Sequence, residues 1–207
     1  MKRRQILQTS ACLLGGLAIA PWLPGIPAAR AENGDVHEQD RILGDAGAPV
    51  TIIEYSSLTC PHCASFHTGT LPKIKSDWID TGKARLVYRH FPLDGVALRA
   101  AAVANCLEGP RHFTFLDALF KNQQRWSRAE DPIAALGNMA KLAGMDDATF
   151  QSCVENDAEM EQILAYAREG AAAFDVQSTP TFVINGRKVS GALPVEDFEK
   201  ILNDASS

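Results

Sequence analysis

Two cysteines one helical turn apart, Cys60 and Cys63, are the residues whose type and spacing most directly indicate chemistry in this chain. They follow an apolar segment at the start of a predicted helix, where unpaired backbone N–H groups and the helix dipole favour a thiolate over a thiol. Cys60, at the N-terminal edge, is therefore the predicted nucleophile, and Cys63 is the predicted resolving thiol. The pair predicts a reversible disulfide and thiol-disulfide exchange.

The two residues between these cysteines fit that chemistry. Pro61 suits the first helical position because a helix leaves the N–H of this position unpaired, and because the proline ring fixes φ near the helical value. His62 adds a donor beside the sulfur, and its protonated form further favours the thiolate. A stabilised thiolate is a good leaving group, so the disulfide form is predicted to be unstable and oxidising.

A Cys-x-x-Cys motif alone also occurs in zinc sites, and His67 lies one turn beyond Cys63. A metal site made of Cys60, Cys63 and His67 is therefore an alternative. Only three candidate ligands lie close together, and metal binding has no use for the proline, so the sequence predicts no metal. We expect His67 to make an ordinary hydrogen bond on the face of a helix.

A second motif, Thr179-Pro180, precedes another apolar strand near the end of the chain. Strand, Cys-Pro-His-Cys, helix and Thr-Pro together resemble the DsbA group of the thioredoxin superfamily, over nearly the whole chain after the first 31 residues. The resemblance implies an α/β thioredoxin fold, a mixed sheet with helices on both faces, carrying an all-helical insertion. It also implies a cis bond before Pro180, with Thr179 and Pro180 presenting backbone groups to an extended substrate.

The first 31 residues have the pattern of an export signal. A basic start containing Arg3 and Arg4 precedes a short apolar run, residues 11–20, and a small-residue cleavage site at residues 29–31. The run is too short to span a bilayer, so no stable membrane insertion is expected after cleavage. The arginine pair resembles a twin-arginine signal but lacks the usual Phe and Lys, which leaves the export route open. We expect a periplasmic protein.

Charge and length restrict the partners and the organisation. The net charge of −5 becomes −9 once the four cations and no acids of residues 1–31 are removed. This balance argues against nucleic acid or an anionic membrane as partner. The length of 207 residues is enough for one domain, predicted over residues 32–207, and we expect a monomer.

Removal of the signal leaves Cys106 and Cys153 besides the active pair. An even number of cysteines in an exported chain indicates pairing, because the compartment is oxidising. We therefore predict a structural disulfide between Cys106 and Cys153. Two separate buried thiols are the alternative.

Patterns along the chain divide it into a thioredoxin part, residues 32–93 and 175–207, and a helical insertion, residues 94–174. Residues 50–56 and 84–91 have the composition of buried strands, and the helix between them predicts a parallel pair. Asn185-Gly186 predicts a tight hairpin between two further strands. The intervening segment shows helical periodicity throughout. We predict that its aromatic residues belong to the core; the alternative is that a few of them line a groove for extended peptides beside the active site.

Glu54 interrupts the first of these strands, six residues before Cys60. Beneath the dithiol it could accept or relay the proton that Cys63 loses on attacking a mixed disulfide, and the resemblance supports that role. The alternative is an exposed glutamate on the polar side of the strand. The next strand offers three basic residues as candidate partners, Arg85, Arg89 and His90, and the sequence does not say which.

The resemblance implies an exported thiol-disulfide oxidoreductase, without a cofactor, that gives the Cys60–Cys63 disulfide to reduced exported proteins through a mixed disulfide at Cys60. It also implies reoxidation by a membrane quinone-linked partner like DsbB. Within the same superfamily, an isomerase or reductase is the alternative: Thr179 is more usual in isomerase-like relatives, whereas Pro61-His62 favours an oxidase. A Cys/His metal carrier and a peptide-holding chaperone are further alternatives.

Overall fold

The computed structural model describes residues 36–37 and 39–206, so the predicted export signal lies outside the described residues. A five-stranded sheet has the order β1-β3-β2-β4-β5. The strands are β1 Arg41–Leu43, β2 Val50–Ser56, β3 Ala84–His90, β4 Thr181–Ile184 and β5 Arg187–Ser190. β2 and β3 are parallel, and the other neighbouring pairs are antiparallel. This is the mixed sheet that the resemblance implies.

The helix after the dithiol alternates between α and π geometry. It consists of α1 Pro61–Ser65, a π-helical turn Phe66–Thr70, α2 Leu71–Ile74 and a second π-helical turn Lys75–Ile79. Pro72, which has no N–H to donate, is the second residue after the first of these wider turns. The first of these turns contains His67, so the change in helical geometry sets the direction of the His67 side chain.

Helices alone connect β3 to β4, as expected for an all-helical insertion. They are α3 Gly95–Asn105, α4 Pro110–Lys121, α5 Gln123–Ser127, α6 Pro132–Leu142, α7 Asp147–Val154 and α8 Asp157–Phe174. The last helix of the described residues is α9 Val195–Ala205, which follows Pro194. Within the described residues, no helix is both long and apolar enough to cross a membrane.

The two faces of the sheet bury different sets of side chains because successive residues of a strand point to opposite faces. Ile52 packs with Phe66, Phe182 and Phe198 on the face covered by the active-site helix and α9. Ile53 and its neighbours pack against the segment around Val176 on the opposite face. Every residue of β2 is buried, which fixes this strand as the centre of the sheet.

One cluster of buried side chains joins the dithiol to the insertion. Cys60 and Cys63 pack with Tyr88 of β3 and with insertion residues that include Phe120 and Trp126. The redox pair is therefore covered by α4 and α5 as well as being attached to the sheet.

The edge strand β1 was absent from the sequence prediction for this segment. It pairs with β3, and just before it Asp40 forms a bidentate ion pair with Arg89, with N···O distances of 3.0 and 2.7 Å. Arg89 also donates to the Tyr55 hydroxyl. The short strand is therefore held largely by interactions with residues distant in sequence.

Candidate active site

Cys60 occupies the N-cap of α1, with extended backbone angles of φ −78° and ψ 120°. Its carbonyl accepts the first helical hydrogen bond, from Ala64 N at 3.2 Å. Pro61 takes the first helical position, and both Pro61 and His62 are exposed. The sulfur of Cys60 thus lies at the positive end of the helix while the side chain itself is only 6% exposed.

Hydrogen bonds lower the pKa of the Cys60 thiol to about 5. The largest contribution is a hydrogen bond from the Cys63 thiol; burial opposes it, and the Thr179 side chain and the backbone N–H groups of Cys63 and His62 reinforce it. A neighbouring thiol and two helix N–H groups together therefore favour the thiolate at neutral pH.

Cys63 shows the opposite behaviour. Its side chain is fully buried, and burial is the first cause that raises the pKa of its thiol, followed by the hydrogen bond to Cys60 and the negative charge of Glu54. Both cysteines are present as free thiols. The Cys60 thiol therefore ionises readily, as a nucleophile requires, whereas the Cys63 thiol keeps its proton, as expected of the resolving cysteine.

The Thr179–Pro180 segment lies against the nucleophile. The peptide bond between these residues is cis, and both residues are buried. The Cys60 thiol donates to the carbonyl oxygen of Thr179 at 3.2 Å. The hydroxyl of Thr179 has no hydrogen-bond partner among the described residues, and it can donate to Cys60 once that thiol has ionised. Thr179 can therefore accept a hydrogen bond from the Cys60 thiol through its carbonyl and donate one to the Cys60 thiolate through its hydroxyl.

Glu54 is fully buried, on the same sheet face as Ile52, between Tyr88 of β3 and Phe182 of β4. Its carboxylate oxygens lie 3.0 and 3.1 Å from Nε2 of His67. The expectation of a basic partner from β3 is wrong. The partner comes instead from the π-helical turn after the dithiol, because that turn lies over the sheet where Glu54 points.

His67 is itself held by the insertion. Its ring stacks on Phe120 of α4 with centroids 4.0 Å apart, and only about 5% of the residue is exposed. In the part of the chain that the structure describes, no group of three His, Cys, Asp or Glu side chains is arranged to hold a metal ion. The buried carboxylate and imidazole form a pair, which is how buried ionisable groups are usually stabilised.

Gln123 belongs to the site although no sequence pattern indicated it. Its side-chain nitrogen donates to the carbonyl oxygens of Leu58 and Cys60, each at 2.9 Å. On the other side of the same turn, the hydroxyl of Thr59 donates to Asp94, the N-cap of α3, at 2.7 Å. The insertion thus binds the loop before the active-site helix at two points.

Cys106 and Cys153 belong to the helical insertion. They are joined by a disulfide with an S–S distance of 2.08 Å, which ties the end of α3 to α7 within the insertion. Cys106 and Cys153 are therefore bonded to each other, whereas Cys60 and Cys63 are both free thiols in this structure.

Comparison with known proteins gives a consistent family. A family model described as Thioredoxin matches residues 36–204. The crystal structure of alpha-DsbA1 from Wolbachia pipientis superposes with a TM-score of 0.77 at 31% identity, covering 83% of this chain and 92% of that one. The similarity in fold and sequence therefore extends over most of both chains.

Curated relatives carry related names. A candidate protein-disulfide oxidoreductase of Rickettsia bellii is 31% identical over 152 residues, which are 73% of this chain and 59% of that protein. Disulfide bond formation protein D of Bacillus subtilis is 27% identical over 175 residues, covering 78% of this chain and 74% of the relative. The chain therefore spans less than two thirds of the rickettsial relative and most of the Bacillus one.

Proposed function

The chain belongs to the thioredoxin family, and we propose that it is a thiol-disulfide oxidoreductase of the DsbA type that donates its Cys60–Cys63 disulfide to reduced proteins. The observation that carries this proposal is the environment of Cys60. Its sulfur lies at a helix N-terminus beside a second thiol, with a pKa of about 5. Such a thiolate is stable, so the disulfide that would replace it is a good oxidant.

The reaction proceeds in two exchanges. A substrate thiolate attacks the sulfur of Cys60, the Cys60–Cys63 bond breaks, and Cys63 leaves with the electron pair and takes up a proton. A second substrate thiolate then attacks the substrate sulfur of the mixed disulfide, and Cys60 leaves as the thiolate that its surroundings stabilise. The substrate loses two electrons and gains a disulfide, and the protein is left as the dithiol.

Thr179 and Pro180 are the proposed substrate-binding residues. The Thr179 carbonyl lies 3.2 Å from the sulfur that would carry the substrate in the mixed disulfide. Once Cys60 is bonded to a substrate sulfur it has no proton to donate, so this carbonyl becomes available to an N–H of an extended substrate segment. Backbone recognition of this kind suits a protein that acts on many sequences.

Glu54 is the proposed proton acceptor and donor for Cys63. Cys63 is buried and its thiol pKa is raised, so its departure as a free thiolate would be unfavourable. Glu54 is a carboxylate whose charge acts on that thiol, and its hydrogen bond with His67 holds it in place. The pair can take the proton from Cys63 in one direction and return it in the other.

Export to the periplasm, by the signal at residues 1–31, completes the proposal. The Cys106–Cys153 disulfide supports it, because structural disulfides persist in oxidising compartments. The protein would act as a monomer on newly exported proteins and be reoxidised by a membrane quinone-linked partner like DsbB. Mass determination of the protein recovered from the periplasm tests the cleavage site, which we place before Glu32.

The activity is tested by oxidative refolding of a reduced, unfolded protein that needs disulfides. Cys60→Ser should abolish the catalysed rate, whereas Cys106→Ser, which removes a cysteine of the same chain outside the site, should retain it. Loss of activity in both variants alike, or in neither, would contradict the assignment of Cys60.

The direction of exchange is tested by the redox potential of the Cys60–Cys63 pair against glutathione. A value well above the cytosolic glutathione poise is expected for an oxidase. A strongly reducing value would favour the isomerase or reductase alternative, for which Thr179 before Pro180 is the relevant sequence feature.

A further inference from the structure

Gln123 forms the most direct link between the helical insertion and the redox turn. It is the first residue of α5, only 4% exposed, and its Nε2 donates to both the Leu58 and the Cys60 carbonyl oxygens at 2.9 Å. Carbonyl oxygens only accept hydrogen bonds, so the amide nitrogen of Gln123, and not its oxygen, must face the turn. Both N–H bonds of that nitrogen are used.

The two carbonyls bracket the residue that carries the reactive sulfur. The Leu58 carbonyl belongs to the Leu58–Thr59 peptide bond, which precedes Cys60. The Cys60 carbonyl belongs to the Cys60–Pro61 peptide bond, which leads into the helix. The latter also accepts the first helical hydrogen bond, from Ala64 N. Gln123 therefore fixes the orientation of the backbone on both sides of Cys60, and with it the direction of the Cys60 side chain.

We propose that Gln123 is a positioning residue that holds the Cys60 turn from the insertion, so that the helix N–H groups stay aimed at the Cys60 sulfur. This inference deepens the proposed function and rests on it for its significance in catalysis. By holding the Leu58 and Cys60 carbonyls, the two hydrogen bonds keep the backbone N–H groups of His62 and Cys63 directed at the sulfur, where they stabilise the thiolate.

The competing explanation is that Gln123 only satisfies two buried carbonyls and stabilises the fold. The same helix provides a matched control for that case. Trp126 is also buried, and its Nε1 donates to the carbonyl of Leu119 at 2.9 Å, within the insertion. Trp126→Phe thus removes one buried side-chain-to-carbonyl hydrogen bond of the same kind that is not made to the redox turn, and it keeps an aromatic ring in the cluster that packs with Cys60 and Cys63.

The experiment compares Gln123→Met and Trp126→Phe in the complete reduced chain. Thiolate absorbance against pH gives the pKa of Cys60, and equilibration with glutathione gives the redox equilibrium constant. For Gln123→Met we expect the Cys60 pKa to rise by about one unit, and the equilibrium to move about tenfold towards the disulfide. For Trp126→Phe we expect lower stability with both quantities unchanged.

A Gln123→Met variant that loses stability but keeps the wild-type Cys60 titration and redox equilibrium overturns the positioning role. That outcome would leave the proposed function intact, because the wild-type potential is measured separately. If Gln123→Met does not fold, the wild-type protein still decides. The side-chain amide resonances of Gln123 should titrate with the same midpoint as the thiolate absorbance, and resonances that stay constant through that midpoint overturn the proposal.

Discussion

The free energy of unfolding of the reduced protein should contain a pH-dependent contribution from Cys60 that is absent from that of the oxidised protein. In the folded dithiol the pKa of Cys60 is about 5, against an ordinary thiol value of 9.0. Between these values the unfolded chain binds a proton that the folded chain does not, so the free energy of unfolding rises with pH. It reaches its full value above the unfolded pKa and is lost as the pH falls through the folded pKa.

The magnitude follows from the two pKa values. The slope is about 1.4 kcal/mol per pH unit within the window, and the gain between about pH 4 and pH 7 is about 2.7 kcal/mol. Cys60 is only 6% exposed, so solvent screening reduces this value little. Cys63 contributes nothing below about pH 8, because its raised pKa leaves it protonated in the folded state as in the unfolded one.

The oxidised form lacks this contribution but has another that is independent of pH. A disulfide across Cys60 and Cys63 closes a four-residue loop, which in the chain-entropy model destabilises the unfolded state by about 2 kcal/mol. The reduced form should therefore be slightly the more stable at neutral pH, and the order should reverse below about pH 6. Below about pH 8 the slope of the difference depends on Cys60 alone, because Cys63 stays protonated in the folded and unfolded states and every group outside the pair is common to both forms.

Denaturant unfolding of both forms in parallel, with the Cys106–Cys153 disulfide intact, measures this difference. Cys60→Ser in the reduced state is the control, and its pH dependence should follow that of the oxidised form. A difference between reduced and oxidised protein that stays constant from about pH 5 to pH 8 would refute the argument, because the thiolate would then not be stabilised by the fold.

Three variants test other parts of the structure. Glu54→Gln should slow the attack of Cys63 on a mixed disulfide by about 100-fold in rapid-mixing experiments; a faster attack would mean that Glu54 acts only by raising the Cys63 pKa. Cys106→Ala combined with Cys153→Ala opens a loop with a sequence separation of 47 and should lower the free energy of unfolding by about 4 kcal/mol while the redox potential stays unchanged. Gly170→Ala would place a Cβ 2.2 Å from the ring of Tyr55, so thermal unfolding should show a loss of about 1–3 kcal/mol; an unchanged midpoint would contradict that close approach.

Local sequence signals were sufficient for the framework of the site. Cys60 at the helix start, Pro61 at the first helical position and the strand before them depend on backbone chemistry within a few residues, and they lie where the sequence predicts. The hairpin around Asn185-Gly186 is equally local, with both residues at positive φ. Such features are predictable because the residue type itself limits the allowed conformations.

Partners of the buried polar groups were not predictable in the same way. The pairing of Glu54 with His67 depends on where a π-helical turn aims a side chain across the sheet, and nothing in the spacing of the two residues specifies it. The edge strand β1 is only three residues long, too short to show a periodic pattern, and is held by pairing with β3 and by the Asp40–Arg89 ion pair. These are tertiary contacts between segments distant in sequence, which periodicity does not report.

The insertion completes the redox site rather than merely covering it. The thioredoxin part supplies the helix N-terminus and Thr179, which act on the sulfur directly. The insertion supplies Gln123, which fixes the backbone around Cys60, and Phe120, which stacks on the histidine that holds Glu54. The buried Cys60 thiolate is stabilised by backbone N–H groups of the active-site turn, and these must stay in fixed positions. Contacts from the insertion and from the thioredoxin part hold that turn. The Cys-Pro-His-Cys sequence alone should therefore not determine the redox potential, because the residues that hold it lie in a different part of the chain.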